Sequence, residues 1–182
     1  VGKSIRVLIV DDSVFMRSML KSALSAAEGV EVIATAQNGN EGLKRIQSLK
    51  PGVVTLDIEM PGMNGLELLE RLMKESPVPA VMVSTRTQEG ASATVDALAL
   101  GAVDYVAKPL GEKSATLESF RSSVVLAVRT AAQSNRKLLG GVKPAPRARL
   151  TKVEGVSPDA VVAIGISAGG PVTLHEMLPL IP

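Results

Sequence analysis

Ile5-Arg6-Val7-Leu8-Ile9-Val10-Asp11-Asp12 is an apolar run that ends on two carboxylic acids, and two later stretches repeat its logic. Val53-Val54-Thr55-Leu56 runs into Asp57, and Asp104-Tyr105-Val106-Ala107 runs into Lys108-Pro109. Each run is short, apolar and bounded by turn or charge signals, so each reads as a buried strand. In an open parallel sheet the carboxyl ends of the strands share one edge, and ligands bind there. Asp11, Asp12, Asp57 and the Lys108 ammonium are therefore expected to meet in one crevice. Such a group is poor packing material. It is a good site for a divalent cation and a phosphoryl group.

Working outward, apolar runs and helical patterns alternate five times. Ser13–Leu24 carries Val14, Met16, Met19, Leu20, Ala23 and Leu24 at helical spacing. Val30–Ala36 reads as a strand, and a helix from about Asn40 to Leu49 stops before Pro51. Leu66–Lys74 reads as a helix, Ala80–Ser84 as a strand, and Ala91–Leu100 as a helix closed by Gly101. A long helix, about Ser114 to Leu138, ends near Gly140-Gly141. Strand–helix alternation implies right-handed crossovers and a parallel sheet covered on both faces. Five strands give an α/β fold of the smaller doubly wound topology.

From Gly140 the texture changes. Gly140-Gly141, Pro144, Pro146 and Pro158, mixed with Lys143, Arg147, Arg149 and Lys152, read as a solvated tether between domains rather than a nucleic-acid patch. Beyond it come a strand pattern over Ala160–Ile164, a Gly-rich turn and a short helix from about Val172. One strand and one helix cannot bury their own apolar faces, so this reads as the truncated opening of a second α/β domain. The expected division is 1–138, 139–158 (linker) and 159–182.

The 182 residues are 46% hydrophobic and 21% charged, with a net charge of +2, which suits a packed core and argues against disorder. Cysteine is absent, so disulfides and thiolate metal sites are excluded. No apolar run approaches the roughly 18 residues of a membrane span, and the first one is too short for a signal peptide. The expectation is a cytoplasmic protein with no membrane insertion and no nucleic-acid partner. The absence of an initiator Met points to a trimmed chain.

Crowding three carboxylates is costly: at an effective dielectric near 20, two unit charges about 4 Å apart repel by roughly 4 kcal/mol. A hard divalent cation offsets this, and Mg²⁺ favours few carboxylates, several waters and phosphate oxygens. A carboxylate held there can act as a nucleophile toward phosphorus. Lys108 would neutralise the transferred group, and Ser84 could hydrogen-bond one of its oxygens. Taken singly, each Asp is as well explained as a turn former or helix cap. Asp12 or Ser13 is expected to cap the first helix. Three acids, Ser84 and Lys108 gathered at four strand ends of one sheet are not explained that way.

Val10-Asp11-Asp12-Ser13, Leu56-Asp57-Ile58-Glu59-Met60-Pro61, Gly65, Met82-Val83-Ser84 and Asp104-Tyr105-Val106-Ala107-Lys108-Pro109 together resemble the two-component receiver domain over roughly residues 4–125. The resemblance implies a flavodoxin-like fold with Asp57 as phosphoacceptor and a histidine kinase as donor. It implies Mg²⁺ held by Asp12, Asp57 and the backbone carbonyl of Glu59, with Asp11 assisting directly or through water. Ser84 and Tyr105 match the positions that rearrange on phosphorylation, although Tyr105 also reads as a simple half-buried aromatic. Gly65 is expected to serve a turn needing positive φ. Haloacid-dehalogenase phosphatases are a different class of Asp nucleophile; they need a second Asp two residues on, where Glu59 stands.

Gly165-Ile166-Ser167-Ala168-Gly169 fits G-x-S-x-G, a tight strand-to-helix turn that exposes a nucleophilic serine. Such turns also serve as phosphate loops or as plain bends. A receiver, a basic tether and then Ala163-Ile164-Gly165-Ile166-Ser167-Ala168-Gly169-Gly170 is similar to the chemotaxis protein-glutamate methylesterase (CheB) family. That resemblance implies Ser167 as the nucleophile of a hydrolase acting on methylated chemoreceptors, with deamidation as a companion activity. Ala168 departs from the Thr usual there. The one histidine, His175, lies a few residues into the following helix and is not assigned as the base, so this chain alone is not expected to be esterase-competent. Two non-enzymatic outputs stay open: a DNA-binding regulator, for which no helix-turn-helix pattern follows the tether, and a stand-alone interaction module.

Overall fold

The structure is a computed structural model that describes residues 4–85, 88–109 and 114–139. Ten elements alternate: β1 (Ile5–Val10), α1 (Val14–Ser25), β2 (Val30–Ala36), α2 (Gly39–Leu49), β3 (Val53–Asp57), α3 (Gly65–Glu75), β4 (Ala80–Ser84), α4 (Gln88–Ala99), β5 (Asp104–Ala107) and α5 (Ser114–Leu139). All strand pairings are parallel, in the order β2-β1-β3-β4-β5. This is the flavodoxin-like doubly wound arrangement, with its switch point between β1 and β3.

Alternation along each strand divides the interior into two cores. Val7, Ile9, Val53, Val81 and Val83 join Met16, Leu20 and Leu24 of α1 and Phe120, Val124 and Val128 of α5. Leu8, Val10, Val54, Leu56 and Met82 join Ile46 of α2, Leu68 and Leu72 of α3 and Ala97 of α4. Strands buried on both faces carry no polar alternation, which is why they read as continuous apolar runs. β2 keeps phase through an irregularity. Val7 pairs with Val32 but Leu8 with Ala34. The extra residue, Ile33, lets Val32 face the α1–α5 core while Ala34 faces the other.

Helix starts are set by side-chain caps. Ser13, Asn38 and Asn64 accept the backbone N–H of Met16, Glu41 and Glu67 respectively. Ser13, not Asp12, caps α1. Gly65 corrects the sequence reading. It is not among the positive-φ glycines of the described residues, which are Gly29, Gly62 and Gly101. A Cβ at Gly65 would instead collide with the backbone of Asp57 and Ile58, so close approach is what demands glycine here. The tether, the strand expected over 160–164, Ser167 and His175 lie outside the described residues.

Candidate functional site

Register brings the expected residues to one edge. Val10 pairs with Leu56, so Asp11 follows β1 beside Asp57, the last residue of β3. Asp57 pairs with Val83, and Ser84 with Ala107, which sets Ser84 and Lys108 at the ends of β4 and β5. Carboxylate oxygens of Asp11, Asp12 and Asp57 all lie within 4.8 Å of one another. Asp11 and Asp57 are buried, at 0% and 2% exposure, while Asp12 is exposed. The Lys108 Nζ donates to Asp57 Oδ2 at 2.7 Å and sits 3.1 Å from Asp11 Oδ2.

Short local bonds orient the acids. Asp11 Oδ1 accepts the Ser13 N–H at 2.9 Å, and Asp57 Oδ1 accepts the Glu59 N–H at 3.3 Å. Arg17, one turn into α1, donates from a single nitrogen to the carbonyls of Asp11 and Asp12, at 2.7 and 2.8 Å. The sequence reading missed Arg17. A lone arginine on an amphipathic helix reads as a solvated charge, and its only signal is its place one turn beyond the acid pair.

Burial dominates the electrostatics. It pushes the Asp57 carboxyl from an ordinary 3.8 up to about 6, against the hydrogen bond and charge of Lys108, which pull it down. Asp11 is raised for the same first reason. For Lys108 burial is the largest single influence and favours the neutral amine, but the Asp57 hydrogen bond and both carboxylates outweigh it, so its pKa is raised. One ammonium thus faces three acids. A set of hard oxygen donors carrying excess negative charge suits a small divalent cation.

The remaining expected residues border this pocket. Ser84 is 1% exposed, and its Oγ has no hydrogen-bond partner among the described residues. Tyr105 is half-buried on β5, and its hydroxyl donates toward the carbonyls of Ser84 (3.1 Å) and Thr85 (3.3 Å). The Glu59 side chain accepts from the Thr85 hydroxyl at 3.2 Å. Ser167 lies outside the described residues.

Residues 7–118 match the family model of the response regulator receiver domain. The chain belongs to that receiver family. The receiver of Thermotoga maritima CheB, solved as its response regulator domain, superposes with a TM-score of 0.65 at 42% identity, covering 71% of this chain and 97% of that one. The receiver domain of NarL from Mycobacterium tuberculosis gives 0.63 at 27% identity, covering 72% and 98%. Among curated proteins, one from Caldanaerobacter subterraneus named protein-glutamate methylesterase/protein-glutamine glutaminase is 44% identical over 190 residues, 99% of this chain and 52% of its own length. One of the same name from Bacillus subtilis is 40% identical over 187 residues, covering 98% and 52%. This receiver chain therefore spans about half the length of the curated relatives it matches. Among the described residues no helix is long and apolar enough to cross a membrane.

Proposed function

We propose that this receiver takes a phosphoryl group on Asp57 from a histidine kinase in the presence of Mg²⁺, and so controls a protein-glutamate methylesterase of which it is the regulatory part. The observation that carries the reading is the buried Asp57 carboxylate at the end of β3, 2.7 Å from the Lys108 ammonium and clustered with two further acids.

Asp12, Asp57 and the Glu59 backbone carbonyl would hold the ion, with Asp11 binding it directly or through water. When bound, Mg²⁺ supplies positive charge to the phosphoryl oxygens. An Asp57 oxygen forms a bond to phosphorus as the bond from phosphorus to the donor breaks, and the electron pair leaves with the donor. Lys108 can shift its hydrogen bond from the carboxylate to a phosphoryl oxygen without leaving the pocket. The Ser84 hydroxyl, unpartnered among the described residues, is a ready donor to the same group. Tyr105, bonded to the Ser84 and Thr85 carbonyls, would feel any movement of that loop.

The relatives support the enzymatic half of the proposal, because they match nearly the whole chain rather than the receiver alone. On this reading 1–138 is the receiver, 139–158 a linker and 159–182 the opening of a hydrolase domain, with Ser167 as its nucleophile and methylated chemoreceptors as substrates. The protein is then cytoplasmic.

Acetyl phosphate with MgCl₂ should label the wild-type chain, and Asp57→Asn should remove the label. Equal labelling of that variant would sink the assignment. In the longer protein, Ser167→Ala should abolish ester hydrolysis; retained turnover would reduce Ser167 to a turn residue.

A further inference from the structure

A concavity of about 830 Å³ lies between α1 and α5 and shares no residue with the acidic cluster. One wall, the last turn of α1 and the two residues after it, is built of small side chains, Ser22, Ala23, Ala26 and Ala27, which leave room for another helix to come close. Its α5 wall presents Glu118, Arg121, Ser122, Val125, Leu126 and Arg129. Leu126 on the same wall is 67% exposed.

Glu118, Ser122, Val125 and Arg129 are spaced four, three and four, which puts these four on one face. The spacing is also palindromic. An identical helix laid antiparallel on that face sets Glu118 opposite Arg129 of the copy and Ser122 opposite Val125. Two-fold symmetry repeats each pairing, as an isologous contact requires. Among the described residues, neither Glu118 nor Arg129 has an ion-pair partner within its own chain. One end of the Arg129 guanidinium is already anchored, since Nη2 donates to the Glu28 carbonyl at 3.1 Å. Less side-chain freedom is then lost when a carboxylate meets it.

We infer that the α1–α5 groove seats a second copy of this chain, with the two α5 helices antiparallel and two Glu118–Arg129 pairs closing the contact. Neither Asp57 chemistry nor a metal enters this contact, so it stands or falls apart from the phosphorylation reading.

Sedimentation velocity of the 182-residue chain, over a concentration series without Mg²⁺ or phosphodonor, tests it. The wild-type chain is expected to self-associate. Glu118→Arg and Arg129→Glu should each weaken self-association about tenfold or more, because both pairings become like-charged. An equimolar mixture of the two variants should associate again, because every cross-pairing is then opposite in sign; recovery also proves both variants folded. A wild-type chain that stays monomeric, single variants that associate as the wild type does, or a mixture that stays monomeric would each overturn the inference.

Discussion

Gly65 and Asp57 show how tightly single atoms are held at this edge. The backbone of Asp57 occupies the space where a side chain at position 65 would begin, so no rotamer change relieves Gly65→Ala. The first turn of α3 or the end of β3 must shift. The expected cost is about 1–3 kcal/mol in urea denaturation, in the range of core overpacking, with weaker phosphoryl labelling because the displaced backbone is that of Asp57. At Asp57 itself, the folded chain binds a proton more tightly than the unfolded one, since its carboxyl is raised to about 6. The stability this proton brings is present below the unfolded value and is lost as pH rises through 6. Metal-free protein is therefore expected to lose up to about 3 kcal/mol from this group between pH 4 and pH 7.5. Asp57→Asn should show a flatter stability–pH curve over that window. A parallel curve in the variant would mean that the burial of Asp57 carries no such penalty.

At the scale of the elements, α3 is the best anchored start. Asn64 and Glu67 form a reciprocal capping box in which each side chain accepts the other's backbone N–H. Asn64→Ala should cost about 1 kcal/mol of stability, read as a lower urea midpoint at unchanged slope. Asparagine caps also explain where the sequence reading stopped short. Helices expected from Asn40 and Leu66 begin one residue earlier, at Gly39 and Gly65, because glycine after asparagine reads as turn until the cap is seen. The helix expected over Ala91–Leu100 runs from Gln88 to Ala99, since Gln88-Glu89-Gly90 offers no apolar signal. All five strands were legible, because parallel strands buried on both faces leave uninterrupted apolar runs. The acids and Lys108 were legible because each closes one of those runs. Arg17 was not, because what it binds is backbone, and backbone carbonyls leave no trace in sequence.

For the whole molecule, a ligand bound only by the folded state stabilises it by mass action, by about 2.7 kcal/mol at a hundred times its dissociation constant. MgCl₂ should raise the melting temperature of the wild-type chain more at pH 7.5 than at pH 5, because protonated Asp57 competes with the ion at the lower pH. An increase that ignores pH, or that survives in Asp57→Asn, would place the ion elsewhere. The parallel order of the sheet adds one consequence. β5 is the outermost strand and pairs only with β4, yet its neighbour Lys108 reaches past β4 to the acid on β3. The rim of the sheet is leashed to its middle over the head of the strand between them. Whatever changes the grip of that central acid changes the pull on the border strand as well.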